Sequence, residues 1–263
     1  MESLGNIITH LNSSKDIDAV FITGSLGNKN AKPYSDIDLV IVLKKNKFNL
    51  YSLYRWIDEI FADIFFFDLG DIHKISTRES DDANSPEGSF VAWLKKADIQ
   101  FDKSGTITKL KKKLDTIDQA NIVSIKDKES FWQKINYNSI ANKRYFESND
   151  LLYHQALELR LLYSVIEAIC GYLALRDIPW RGEKNAVIYL SAHHPNFYAL
   201  FQKYSTTSSL KDRFDYYSQM VDLVFTEKYI KWSIADTVLI KKDFSLTKED
   251  DPAFVYMVNL FNS

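Results

Sequence analysis

A chain of 263 residues has room for two modest domains or one large one, because domains usually run to ~100 to 200 residues. Its 33 basic and 35 acidic residues leave a net charge of −2 with both signs spread along the chain, which disfavours a nucleic acid as main partner, and 46% hydrophobic with 26% charged residues excludes an intrinsically disordered chain. The lone Cys170 excludes an internal disulfide and a thiol-rich metal or redox motif; residues 1–14 lack a basic leader and no apolar run approaches the ~18 residues of a membrane span, so the expectation is a cytoplasmic protein outside the membrane.

Residues 1 to about 122 read as a mixture of strands and helices. Ala19 to Thr23 forms an apolar strand ending at Gly24. Beyond a turn containing Pro33, Asp36 to Leu43 (DIDLVIVL) forms a second strand. Asn49 to Ile60 places Leu50, Leu53, Tyr54, Ile57 and Ile60 three and four residues apart, the spacing of one apolar helix face, and predicts a crossover helix. Phe61 to Phe67 is a third strand and Asp98 to Asp102 a short later one, followed by Gly105 and a Lys-rich helix around Leu110 to Leu114.

After a linker at Asn121 to Asp127 the periodicity is helical to the end. The clearest helix runs from Leu151 to about Leu175, capped by Asn149 or Asp150. Leu152, Ala156, Leu159, Tyr163, Ile166, Cys170 and Leu173 alternate by four and three, the pattern of a buried seam. Ser209 to Ile230 predicts another helix. Trp132, Tyr137, Tyr145 and Tyr153 are expected mostly in the core, with some walling a pocket. The fold expected is therefore α+β: residues 1–122 a small mixed sheet flanked by helices, residues 123–263 an all-helical bundle.

The chemistry concentrates in Thr23 to Leu43. Asp36 and Asp38, two apart on a strand, leave the same face and can share a hard cation such as Mg²⁺. Val40 and Val42 continue that face, while Ile37, Leu39, Ile41 and Leu43 line the other, so two like charges sit in an apolar strand and call for a positive partner. Upstream, Gly24 allows close backbone approach and Ser25 adds a hydroxyl at the start of a short helix, a setting suited to phosphate. A phosphate cradle beside a metal site describes a nucleoside triphosphate with its magnesium.

Gly24-Ser25, ten residues, then Asp36-Ile-Asp38 inside a hydrophobic strand resembles the DNA polymerase β-like nucleotidyltransferase superfamily. Within it, GSLGNKNAKPYSDIDLVIV looks most like the antibiotic nucleotidyltransferases that modify kanamycin and streptomycin. The resemblance implies that Gly24 and Ser25 hold the triphosphate, ATP by preference, that Asp36 and Asp38 bind Mg²⁺, and that a catalytic α/β domain precedes a helical one. It also implies a third acid on a neighbouring strand. Asp63 and Asp68 both qualify by location but lie an odd number apart and face opposite sides; Asp63, inside the apolar run ADIFFF as the family's third acid is, is the choice.

The implied reaction moves a nucleoside monophosphate, AMP by preference, to a hydroxyl of a small molecule such as an aminoglycoside, with pyrophosphate leaving in line. Glu158, in the row Leu151, Gln155, Leu162, Val165, Ile169, is the candidate base on a partly buried face, against pairing with His154; Glu167 is expected to be solvated. By similarity to the kanamycin enzyme, Lys184 is a candidate triphosphate ligand, against an ordinary first-turn lysine. Alternatives are nucleotidylation of a protein or RNA end and a toxin–antitoxin type regulatory component; the assembly is a monomer or a homodimer.

Overall fold

The computed structural model describes residues 3–27, 35–77, 82, 85–116, 122–233, 236, 238–240 and 250–261. The chain divides into two compact units, Met1–Asn121 and Ile122–Ser263.

In the first unit α1 (Leu4–Ser13), capped by the Ser3 hydroxyl accepting from the Asn6 amide, precedes β1 (Ile17–Thr23), every residue of which is buried. One helical turn, α2 (Gly24–Gly27), leads toward β2 (Ile37–Leu43); the turn expected at Pro33 lies outside the described residues. Then come β3 (Ser52–Ile57), β4 (Ile60–Asp68), α3 (Leu69–Thr77), α4 (Pro86–Lys95), β5 (Asp98–Asp102) and α5 (Thr106–Thr116). The strands make one mixed sheet in the order β3-β4-β2-β1-β5, parallel between β2 and β4 and antiparallel elsewhere.

Strand alternation divides the core. Ala19, Phe21, Val40, Val42 and Phe67 pack against α3, α4 and α5, while Val20, Ile22, Leu39, Ile41 and Ile64 pack on the other face with Ile7 of α1. Burial of both faces explains why β1 and β2 read as continuous apolar runs.

The helix expected over Asn49 to Ile60 is instead the first arm of a hairpin. Asp58 and Glu59 have φ of 50° and 64°, the left-handed pair that a two-residue loop of the I′ kind requires, and Ile57 pairs directly with Ile60. Leu53, Tyr54, Ile57 and Ile60 satisfy a helical spacing by coincidence. Only Ile57 is buried, and the Leu-Tyr-Arg-Trp-Ile run has the aromatic content that suits a strand.

The second unit is helical: α6 (Ile125–Phe146), α7 (Leu151–Ala174), α8 (Glu183–His193), α9 (Pro195–Thr206), α10 (Leu210–Val224) and α11 (Pro252–Phe261). Ile125 to Asp127, expected in the linker, form the first turn of α6, because the Ser124 hydroxyl caps it through the Asp127 amide. Asp150 caps α7 through the Leu152 amide. The second periodic helix stops at Val224 rather than Ile230, and the Thr226 amide donates to the Tyr229 carbonyl in a turn.

The α7 seam is corrected. Leu152, Leu159, Tyr163 and Ile166 are exposed, and the buried stripe is Leu157, Leu161, Ser164, Val165, Ala168 and Tyr172, packed against α9 and α10 residues such as Phe197, Tyr217 and Val221. α7 is apolar nearly all round, so its periodicity does not select a face. The aromatic expectation is corrected likewise, since Tyr137 and Tyr153 are exposed. Leu157 is 0% exposed and Leu159 66%. Leu157→Ala should therefore cost ~2 to 5 kcal/mol in urea unfolding and Leu159→Ala no more than ~0.5 kcal/mol; equal costs would restore the expected seam.

Between α6 and α7 lies a polar network. Arg160 donates to Asn142 Oδ1 at 2.7 Å and to Asn138 Oδ1 at 2.8 Å, Asn142 donates to Ser164 Oγ at 3.1 Å, and Asn138 donates to Glu167. Asn138, Asn142 and Ser164 are buried, and Tyr137, Tyr145 and Tyr163 surround the Arg160 guanidinium. No helix among the described residues is long and apolar enough to cross a membrane.

Candidate metal centre

Adjacent strands set one row of side chains across the sheet: Thr23 pairs with Asp38, Asp38 with Asp63, and Asp63 with Tyr54. Paired residues share a face, so Asp38 and Asp63 project together, with Asp36 immediately before β2. One carboxylate oxygen from each of Asp36, Asp38 and Asp63 lies within 4.8 Å of the others. This is a donor set of hard oxygens suited to Mg²⁺ or a related divalent cation.

Two buried oxygens sharpen the reading. Asp63 Oδ1 and Ser25 Oγ have no hydrogen-bond partner among the described residues. A buried polar atom without a partner is costly, and a cation at the acids and a phosphate oxygen at Ser25 would satisfy both. Burial, and then the neighbouring Asp36 charge, raises the Asp63 carboxyl above its ordinary range. Asp36 and Asp63 therefore repel each other, and a cation held among the acids would offset that repulsion. The residues present fit such an ion.

Gly24 is fixed by the same geometry. Its φ is +63°, and a Cβ there would stand 1.8 Å from Asp38 Oδ2, so the first residue after β1 must lack a side chain if the acid is to keep its place. Gly27 was not singled out in the sequence; a Cβ there would lie 2.6 Å from the Ile22 carbonyl oxygen, so α2 packs directly on the β1 backbone. A second glycine three residues after the first was its available signal. α2 is a single turn of four residues, too short for an appreciable helix dipole, so a phosphate role at this turn rests on Ser25 Oγ and on space.

Asp68 has a different task. It pairs with Leu43 at the far end of β2, its Oδ1 accepts from the Asp71 amide at 3.0 Å and its Oδ2 from the Asn46 amide at 3.0 Å. Burial pushes its carboxyl up, but backbone donors Asn46, Asp71 and Gly70, with Lys74, outweigh it and leave the pKa below the ordinary value. Asp68→Ala should cost ~1 kcal/mol of stability at neutral pH, as loss of a helix cap does. A lowered folded-state pKa stabilises above the unfolded value and the contribution fades as pH falls through the folded one, so the gap between wild type and variant should close in strong acid. A gap independent of pH would reject the charge-based account.

The remaining candidates lie in the second unit. Glu158 is exposed rather than on a partly buried face, and its Oε1 accepts from Arg213 Nη2 of α10 at 3.3 Å, a surface pairing with Arg213 where the alternative to the base role names His154. Arg213 reaches Glu158 from 55 residues further along the chain, a meeting that local periodicity does not encode. Glu167, expected to be solvated, is half-buried and accepts from Asn138. Lys184 is exposed in the first turn of α8.

Residues 5–80 match the family described as Polymerase beta, Nucleotidyltransferase. The match runs from α1 through α3 and contains Gly24, Ser25 and all three acids, so this stretch is similar to a polymerase-beta-type nucleotidyltransferase domain and carries an acidic triad that could hold a metal. No curated protein matches the chain. Among solved structures, a nucleotidyltransferase-like protein from Exiguobacterium sibiricum 255-15 is 10% identical, covering 84% of this chain and 73% of its own, with a TM-score of 0.46, a superposition too loose to carry a functional inference.

Proposed function

We propose that this protein is a Mg²⁺-dependent nucleotidyltransferase that moves AMP from ATP to a hydroxyl of a small molecule, of the kind that inactivates aminoglycoside-like antibiotics. The observation that carries the reading is the convergence of Asp36, Asp38 and Asp63, whose Oδ1 has no hydrogen-bond partner among the described residues, beside the Gly24-Ser25 turn. Asp36, Asp38 and Asp63 hold the ion; when bound it supplies positive charge against the charge that develops on the phosphoryl oxygens. Ser25 Oγ donates to a phosphate oxygen, and Gly24 keeps that space open. The acceptor oxygen bonds to the α-phosphorus, the bond from that phosphorus to the β-bridging oxygen breaks, and pyrophosphate departs with the electron pair.

The helical unit, in this reading, carries acceptor-side residues. Glu158 takes the hydroxyl proton and Lys184 pairs with a phosphate oxygen. Glu158→Gln should lower kcat by ~10² to 10⁴ with nucleotide affinity unchanged. Unchanged kcat would leave Glu158 with its surface pairing to Arg213 alone and move the base to another acid. The reading as a whole is tested by pyrophosphate release from Mg·ATP with a panel of aminoglycosides, lincosamides and candidate proteins. Release only with a protein acceptor would move the assignment to protein nucleotidylation, and the absence of both release and Mg²⁺-dependent nucleotide binding would reject it.

A further inference from the structure

The hairpin β3–β4 places an aromatic shelf on the face of the sheet that carries the acids. Tyr54 is the cross-strand partner of Asp63 and Trp56 is that of Phe61, which precedes Asp63 by two residues on the same face. The Tyr54 and Phe61 rings stack with centroids 6.2 Å apart and planes 4° from parallel, and Trp56 stands edge-on to Phe61 at 5.5 Å. All three are exposed, Trp56 to 68%. Edge strands are commonly protected by charge, and a contiguous apolar patch on a surface marks a contact site. Neighbouring strands are ~4.8 Å apart and residues two apart on a strand ~6.6 Å, so the shelf begins within one side chain's reach of Asp63.

Strand order gives the shelf its side. In β3-β4-β2-β1, the Gly24-Ser25 turn follows β1 on one flank of Asp38 and Asp63, and the aromatic residues of β3 lie on the opposite flank. In-line displacement sets attacking and leaving oxygens on opposite sides of the phosphorus. With pyrophosphate departing toward Gly24 and Ser25, the attacking molecule approaches from the shelf. We propose that Tyr54, Trp56 and Phe61 form a stacking platform for a ring of the molecule that reacts at the acids, and that the ring belongs to the acceptor: a hydroxylated ring compound presenting one apolar or cationic face. The inference rests on the nucleotidyltransferase reading.

Three probes separate the sources of a ring: Mg·tripolyphosphate, which has none, a non-hydrolysable α,β-methylene ATP with Mg²⁺, whose ring is the nucleobase, and the aminoglycoside kanamycin A. Calorimetric titration of full-length wild type, Trp56→Leu and Trp56→Phe is the experiment. Trp56→Leu keeps apolar bulk but removes the ring face, and should weaken kanamycin A by about 2- to 30-fold, the range of one lost contact between an ammonium group and an aromatic face. Trp56→Phe should recover most of that loss, with tripolyphosphate affinity and melting temperature unchanged in both. If the nucleotide analogue loses affinity while tripolyphosphate and kanamycin A do not, the ring is the nucleobase and the proposed acceptor platform is overturned. Ring-ligand affinities indifferent to Trp56, no ring ligand bound at all, equal weakening of tripolyphosphate, or a change of oligomeric state on size exclusion that assigns the shelf to self-association would each overturn the proposal. Failure of wild type to bind Mg·tripolyphosphate is a separate result that rejects the nucleotidyltransferase reading itself.

Discussion

Asp36→Asn, Asp38→Asn and Asp63→Asn should each lower nucleotidyl transfer by about 10³-fold or more while leaving the fold intact, because each removes charge from a cation clamp worth several kcal/mol at the transition state. The acids lie on or beside buried strands but are themselves only half-buried, so the amide fits the same space. The Asp63 variant has a second signature. Its carboxylate is held above its ordinary pKa by burial and by Asp36, so neutralising it relieves repulsion and should raise the melting temperature of the metal-free protein, whereas Mg²⁺ should no longer raise it further. Near wild-type turnover in any of the three, measured as pyrophosphate release at saturating Mg²⁺, would remove the triad from the mechanism.

Gly24→Ala should be as damaging to transfer and, unlike the acid variants, damaging to stability. A left-handed φ costs a residue with a Cβ ~1 to 2 kcal/mol, and the new carbon, 1.8 Å from Asp38 Oδ2, cannot coexist with the acid in its place. Gly105 is the control, with φ +72° and nothing within 4 Å of an added Cβ. Gly105→Ala should pay only the conformational cost and keep full activity. Equal activity in the two alanine variants would show that the close approach of Gly24 to Asp38 is dispensable.

What the sequence reveals and what it conceals follow from range. The strands bearing Asp38 and Asp63 are legible because a strand buried on both faces must be a short apolar run, and an acid inside such a run stands out. The parity argument separating Asp63 from Asp68 holds because β4 is regular from Ile60 to Asp68, with no bulge to shift it against β2. The region 49–60 misleads because the hairpin turns on Asp58-Glu59, a pair without the glycine or asparagine that usually announces a left-handed loop. Its outward aromatic residues also imitate the inner face of a helix. For α7 the obstacle is different: with Leu, Ile or Tyr on nearly every side, the choice of buried stripe belongs to α9 and α10, which lie far along the chain. Glu158 fails as a buried acid for the same reason, since its surroundings depend on Arg213.

The asparagine-rich network between α6 and α7 has a consequence for how the helical unit assembles. Leucines facing leucines tolerate sliding, because one turn of displacement, ~5.4 Å, brings another leucine opposite. Amides and a guanidinium do not, since each must meet a particular acceptor, and an unpaired buried donor costs ~1 to 3 kcal/mol. Asn138 and Asn142 are one turn apart on α6, and Arg160, Ser164 and Glu167 are spaced to match on α7. The pair of helices therefore has a vernier: apolar packing draws them together, and the polar rungs admit a single axial setting.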